Sequence, residues 1–229
     1  MSHAERRAEL AEEPLLDVPA RSAGELAGWV AEGPVALSDD GESVILGSAD
    51  PDSDEHGHWT LWCPVELPDR VAIEWEFQPV SEPGLAMIFF AAAGTEGRDL
   101  FDPALPARDG HYPQYHSGAV RALHLSYLRH KWPEERAFRT CNVRKSPGFH
   151  LVAQAADPLP PAEDAVGFYR LRLIKDGADV RFSIDDLPVL HWTDDGTLNG
   201  GPYGGGRIGL RQMAPLVARY RGFRVTPLR

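Results

Sequence analysis

The stretch FYRLRLIKDGADVRFSIDDLPVLHW, residues 168–192, decides the fold. Phe168–Lys175 reads as a strand, Asp176-Gly177 is a hairpin turn signal, and Val180–Ile184 returns along it. Asp185-Asp186 makes the next turn, and Val189–Trp192 is a third strand. The same period of two runs through the rest of the chain from about Val35. Ile73, Trp75 and Phe77 point one way while Glu74, Glu76 and Gln78 point the other. Further strands are predicted at Val44–Leu46, Trp59–Val65, Val71–Pro79, Leu85–Ala92, Val120–Leu128, Arg139–Val143, Phe149–Gln154, Ile208–Gln212 and Tyr220–Val225. No helices alternate with them and no fixed repeat appears, which excludes βα-alternating folds, propellers and solenoids. A sandwich of two antiparallel sheets remains. It should bury Trp75, Phe77, Ile88, Phe90, Leu171, Leu173, Ile208 and Leu210 between the sheets.

Residues 1–34 differ in composition. Glu5 to Leu16 is rich in Ala, Glu, Arg and Leu, and Ser22 is placed to cap a short helix carrying Leu26, Trp29 and Val30. The expectation is a partly helical extension over 1–34 and a sandwich domain over 35–229. Gly and Pro together make 22 + 20 = 42 of 229 residues, so many short turns are expected. Lys and Arg total 23 against 34 Asp and Glu, a net charge of −11. A chain this acidic, with no basic cluster, suits neither nucleic acid nor anionic membrane as partner. Cys63 and Cys141 lack CxxC spacing and read as small core fillers. Met1–Arg7 leads into no apolar stretch, and no window of 18 apolar residues occurs, so the expected location is cytoplasmic.

The closing segments Gly206-Arg207-Ile208-Gly209-Leu210-Arg211 and Tyr220-Arg221-Gly222-Phe223-Arg224-Val225 resemble the end of concanavalin-like lectin and glucanase jelly rolls. The middle of the chain carries a more specific resemblance. Glu74-Trp75-Glu76-Phe77, Asp99-Leu100-Phe101-Asp102, His124-Leu125-Ser126-Tyr127 and the run from Arg139 to Val152 are similar to the DUF1961 family, over about Trp59 to Val225. That family groups concanavalin-like bacterial proteins, some encoded among genes for pectin and other polysaccharide use. Membership implies the jelly-roll sandwich and a link to carbohydrates, and the partner expected is an oligosaccharide. It implies no established catalytic residue.

Several constellations are able to carry chemistry on sugars. Glu74 and Glu76 share one strand face, with carboxylates roughly 7 Å apart, a spacing usable in two-carboxylate glycoside hydrolysis. The third position of that alternation is Gln78, so the glucanase pattern is incomplete; the plainer reading is a polar face over the Ile73/Trp75/Phe77 stripe. A second set gathers His124, Tyr127, Arg139, Asn142, Arg144, Lys145 and His150. Polysaccharide lyases of jelly-roll fold rely on this inventory: an Arg, Asn or Gln neutralises the uronate carboxylate and acidifies the C5 proton, a His or Tyr abstracts it, and a Tyr or similar acid protonates the leaving oxygen. His124, Tyr127 and His150 are the catalytic candidates. Arg139, Asn142, Arg144 and Lys145 are the substrate-binding ones, with Asp99, Asp102 and Tyr115 from the long segment Gly94 to Gly118 and Gln212 from the closing strands. His150 heads the list: a turn at Gly148 should place Phe149 and Leu151 toward the core and His150 away from it.

No cofactor is predicted. Asp50, Asp52, Asp54 and Glu55 offer oxygen ligands of the kind that hold a structural Ca²⁺, but the segment lacks the EF-hand glycine and twelfth-position Glu and reads as a solvated acidic turn. Gly200–Gly206 has no GK[ST] ending and precedes a strand, so it is no phosphate loop. The function expected is a carbohydrate-active protein, an enzyme (hydrolase or lyase) on acidic or rhamnose-containing oligosaccharides, with a non-catalytic sugar-binding module as the alternative.

Overall fold

The hairpin read from residues 168–192 forms as expected, with Arg172 opposite Ser183 and Arg181 opposite His191. In the computed structural model, which describes residues 10, 11 and 13–229, strands build two antiparallel sheets. In chain order the first strands are β1 (Leu16–Val18), β2 (Val30–Glu32), β3 (Val35–Asp39), β4 (Val44–Ser48) and β5 (Trp59–Trp62). They are followed by β6 (Val71–Ser81), β7 (Leu85–Gly94), β8 (Val120–Tyr127), β9 (Thr140–Ser146) and β10 (His150–Ala156). The last are β11 (Tyr169–Asp176), β12 (Asp179–Ile184), β13 (Leu187–Thr193), β14 (Arg207–Met213) and β15 (Val217–Pro227). One sheet has the order β13-β12-β11-β6-β15-β4-β3, with β1 also on β15; the other runs β10-β9-β8-β7-β14-β5-β2.

Every residue predicted for the core lies in one apolar cluster between the sheets. Inside it Trp75 and Phe77 from one sheet meet Tyr127 from the other, ring centroids 5.9 and 5.1 Å apart. Cys63 and Cys141 are free and buried there.

A second apolar cluster covers the opposite side of the seven-stranded sheet. β7 and β5 are buried on both faces because Leu100, Phe101, Tyr112 and Tyr115 from the segment following β7 lie over Trp62, Met87 and Phe89. The segment carries a short helix, α1 (Pro113–His116). A second short helix, α2 (Pro133–Ala137), follows β8. At this layer β14 passes so close to Trp62 that a Cβ on Gly209 would sit 2.3 Å from its ring. Gly209→Ala is therefore expected to destabilise the protein by about 1–3 kcal/mol through overpacking. A urea midpoint equal to that of the parent would show that the ring is free to give way.

Among the described residues of the 1–34 stretch the expected helical extension is not seen. Much of the Glu5–Leu16 stretch, with the Met1–Arg7 segment, lies outside the described residues. Leu16–Val18 is strand β1, pairing with Phe223–Val225, and Val30–Glu32 is β2, pairing with Thr60–Trp62. Ser22 does precede a turn, Ala23–Leu26, but it is a 3₁₀ turn held by Glu25 accepting from the Arg21 amide (2.7 Å). Leu26 is buried in the core and Trp29 packs at a tilt against Phe223, ring centroids 5.6 Å apart. Two three-residue edge strands are too short for a period to reveal them, and burial of Leu26 and Trp29 decides their conformation.

Candidate functional site

The outer face of the seven-stranded sheet gathers cations, histidines and aromatic rings. Alternation places Val120, Ala122, His124 and Ser126 of β8 on this face and Leu123, Leu125 and Tyr127 on the core side. Arg144 stands opposite His124 in register, and Asn142 opposite Ser126. Asn142 turns its carbonyl oxygen to Arg129 Nη1 at 2.7 Å.

His124 is the centre of the face. Its Nε2 lies 2.7 Å from Ser146 Oγ, which donates to one of two carbonyls, Tyr115 O at 3.1 Å or Ala122 O at 3.3 Å. A hydroxyl has one hydrogen, so Ser146 accepts from His124 Nε2–H. Nδ1 is then the acceptor for the Tyr112 hydroxyl, 3.1 Å away. Burial holds the His124 pKa well below 6.5, helped by His116, Arg211 and Arg144, and burial raises Tyr112 to about 12. Both groups are neutral at pH 7.

Rings and cations surround this pair. Phe149, in a left-handed turn position (φ 55), is met by the tilted His116 ring at 4.3 Å and edge-on by Tyr112 at 5.5 Å. The Arg144 guanidinium caps the Phe149 ring at 3.8 Å and donates to Phe149 O. Arg211, on β14, is wholly buried and lies 4.7 Å from the Tyr112 ring and 5.2 Å from the Tyr115 ring. Among the described residues neither Arg144 nor Arg211 has a carboxylate partner. The carboxylates nearby are committed: Glu135 to Arg129, and Glu32 to Arg108 and the Tyr115 hydroxyl.

Of the residues singled out from sequence, His124, Asn142 and Arg144 meet on this face, with Tyr115 beneath it. The others go elsewhere. Tyr127 is in the core, its hydroxyl accepting from Trp75 Nε1 at 3.3 Å, and Gln212 is on the core side of β14, bonded to Tyr220. Lys145 is fully buried, its ammonium 2.6 Å from Asp194 and 2.7 Å from the carbonyls of Leu198 and Gly201. His150 pairs with Lys145 in register and Leu151 with Arg144, so the alternation is the reverse of the one expected. Phe149 belongs to the turn, not the strand, and a bulge between Leu151 and Ala153 shifts the rest; Phe149 and Leu151 are exposed.

Arg139 is exposed at the start of β9 and lines a separate cavity of ≈ 540 Å³ with Glu82, His130 and Arg136. Asp99 pairs with Arg207 at 2.6 Å, and Asp102 accepts from the Ala104 amide at 2.8 Å, both shaping the covering segment. Glu74 and Glu76 lie on the outer face of the other sheet. There they form a charge ladder with Arg172 and Arg224, and with Arg170 and Arg221. Tyr112 and His116 lie in the long segment Gly94 to Gly118, and Arg211 in the closing segment Gly206–Arg211; none of the three is a candidate from the sequence alone. The signal at Arg211 is a charge at an outward position between the core-side residues Leu210 and Gln212, beside a partner strand buried on both faces.

The chain matches the model of a domain of unknown function, DUF1961, over residues 14–225. It belongs to the DUF1961 family. The uncharacterized protein YesU of Bacillus subtilis (strain 168) is 52% identical over 207 residues, covering 90% of this chain and 92% of that one. A crystal structure of a Bacillus subtilis protein of unknown function with galectin-like fold superposes with a TM-score of 0.90 at 51% identity, covering 94% of this chain and 96% of the other. The carbohydrate-binding module CBM66 from Bacillus subtilis has the same fold at 13% identity and a TM-score of 0.55, over 87% of this chain and 95% of that one. The jelly-roll sandwich implied by the sequence resemblance is therefore the fold of this DUF1961 chain.

Among the described residues of this DUF1961 chain no helix is long and apolar enough to cross a membrane, and no group of three or more His, Cys, Asp or Glu is placed to hold a metal ion. Asp54 of the acidic turn gives its carboxylate to Lys131 at 2.7 Å. Beside it, His58 is buried with Nδ1 accepting from the Ala214 amide at 3.1 Å. Burial, with Arg211 and Lys131 adding repulsion, depresses its pKa to about 4. Between pH 6.5 and about 4 the unfolded chain binds this proton and the folded one does not, so stability is complete above 6.5 and is lost as pH falls toward 4. His124 acts in the same direction. Thermal melts from pH 7 to 4.5 should show a falling midpoint. His58→Asn, which keeps an acceptor for the Ala214 amide, should flatten that slope; an unchanged slope would remove His58 from the account.

Proposed function

We propose that this DUF1961 domain recognises an acidic oligosaccharide on the outer face of its seven-stranded sheet, between Phe149, His116 and Tyr112 and the cations Arg144 and Arg211. One observation carries this reading: in a protein of net charge −11, two arginines without carboxylate partners among the described residues share one face with a cluster of aromatic rings. Rings stack on the apolar faces of sugars, and unmatched guanidinium groups favour an anionic one. The fold shared with a carbohydrate-binding module agrees with it. Uronate-bearing or acidic rhamnose-containing chains of plant polysaccharide are the ligand class.

Hydrolysis by Glu74 and Glu76 finds no support, because both carboxylates are ion-paired on the far side of the sandwich. An elimination reaction is the second reading, favoured by the Tyr112–His124 contact. At neutral pH a neutral imidazole and a protonated phenol stand in the states that a general base and a general acid occupy.

Calorimetric titration with trigalacturonate, an acidic rhamnose-containing disaccharide and a neutral cello-oligosaccharide tests both readings, with ultraviolet absorbance followed in parallel. Binding of the acidic sugars alone, weakened by about tenfold or more in Arg144→Ala and Phe149→Ala, is the expected result. Ultraviolet absorbance growing with time would add elimination to recognition. Binding of the neutral sugar as tightly as the acidic ones, or of none, would overturn the proposal.

A further inference from the structure

We infer that Arg211 is the receptor for one carboxylate of the ligand, held bidentately on the Nε–Nη2 edge of its guanidinium; this rests on the reading of the face as an acidic-saccharide site. The side chain is oriented from its other end. Nη1 donates to Gly110 O at 2.8 Å and to Thr60 Oγ1 at 3.2 Å, while Tyr112 and Tyr115 lie against the guanidinium. Nε and Nη2 are buried and have no hydrogen-bond partner among the described residues. These two nitrogens share one edge of the guanidinium, with parallel N–H bonds spaced to meet the two oxygens of a carboxylate.

Among the described residues no side chain supplies that carboxylate; Glu32, nearby, is taken by Arg108 and the Tyr115 hydroxyl. Other buried cations are matched: Lys145 by Asp194, Arg108 by Glu32 and Lys175 by Asp69. A fully buried guanidinium without an anion is costly, and two unmet donors add to the cost. A sugar hydroxyl satisfies one of them; a uronate carboxylate satisfies both and neutralises the charge. Because Arg211 is fully buried, the ion pair that forms is shielded from water.

The test titrates trigalacturonate and its methyl ester into the parent protein, Arg211→Gln and Arg211→Lys. The parent is expected to bind the acid about 10²-fold more tightly than the ester. Arg211→Gln should bring the two affinities within a few-fold of each other, and Arg211→Lys, which keeps charge but not the fork, should lose most of the preference. Folded variants that retain the full preference would overturn this inference and leave the saccharide reading standing. A parent protein that binds neither compound, or both equally, would overturn the saccharide reading itself. The Arg211 Nε–H resonance of the parent protein gives the same answer if a variant does not fold: it should move with the acid and not with the ester, and an unmoved resonance contradicts the assignment.

Discussion

Replacing Glu32 with Ala is expected to destabilise the protein by about 3–5 kcal/mol and to release the segment that covers the candidate site. Glu32 sits on β2 and is 8% exposed. It accepts from Arg108 Nε at 3.0 Å and Nη2 at 2.7 Å, and from the Tyr115 hydroxyl at 2.8 Å. Removing it strands a buried guanidinium and a buried phenol together. Arg108 also donates to Leu100 O at 3.0 Å, so the same loss reaches the start of the covering segment. Urea denaturation measures the destabilisation, and hydrogen exchange measures the release, which should concentrate at residues 99–118. A change below about 1 kcal/mol with unaltered exchange there would show that the apolar cluster alone holds the segment. Affinity for an acidic oligosaccharide should fall with the release, because Tyr112 is carried on that segment.

Asp194→Ala should cost a similar amount, about 3–5 kcal/mol, for the same physical reason at the opposite end of the sheet. The Lys145 ammonium, fully buried, has Asp194 Oδ2 and two carbonyls as acceptors and the Tyr203 ring 4.7 Å away. Without Asp194 its charge is uncompensated. The double variant Lys145→Met, Asp194→Ala removes both charges and is expected to recover much of the loss. A double variant less stable than Asp194→Ala alone would mean that the carbonyl contacts, not the ion pair, are what matters. Either way Lys145 ties β9 to the 194–201 turn, a structural duty that a cation in a polar-looking strand does not announce.

The sandwich was legible because a half-buried strand writes its two faces into alternate residues. Trp75 and Phe77 against Glu74 and Glu76 show this, and long strands with strong alternation were read correctly. Leu16–Val18 and Val30–Glu32 were not, since three residues carry no period and the local composition favours helix. The chemistry was harder to read than the fold. Which face Lys145, His150 or Gln212 occupies depends on register, on a turn displaced to Phe149 and on a bulge near Val152, none of which leaves a compositional mark. The set drawn from residues 124–150 therefore divides: His124, Asn142 and Arg144 share a face, while Tyr127 and Lys145 turn toward the core. The surroundings of Arg211 come from Thr60 and from residues 110, 112 and 115, both far from it in the chain, and only the folded sheet brings them together.

A titration of the ¹⁵N-labelled protein with trigalacturonate, followed residue by residue, tests the central claim most directly. The account predicts that Tyr112, His116, His124, Arg144, Phe149 and Arg211 shift together and saturate at one affinity, while Glu74, Glu76, Arg170 and Arg172 do not move. Shifts centred on the Glu74–Arg172 ladder or around His130 and Arg139, or no shifts at millimolar sugar, would contradict it.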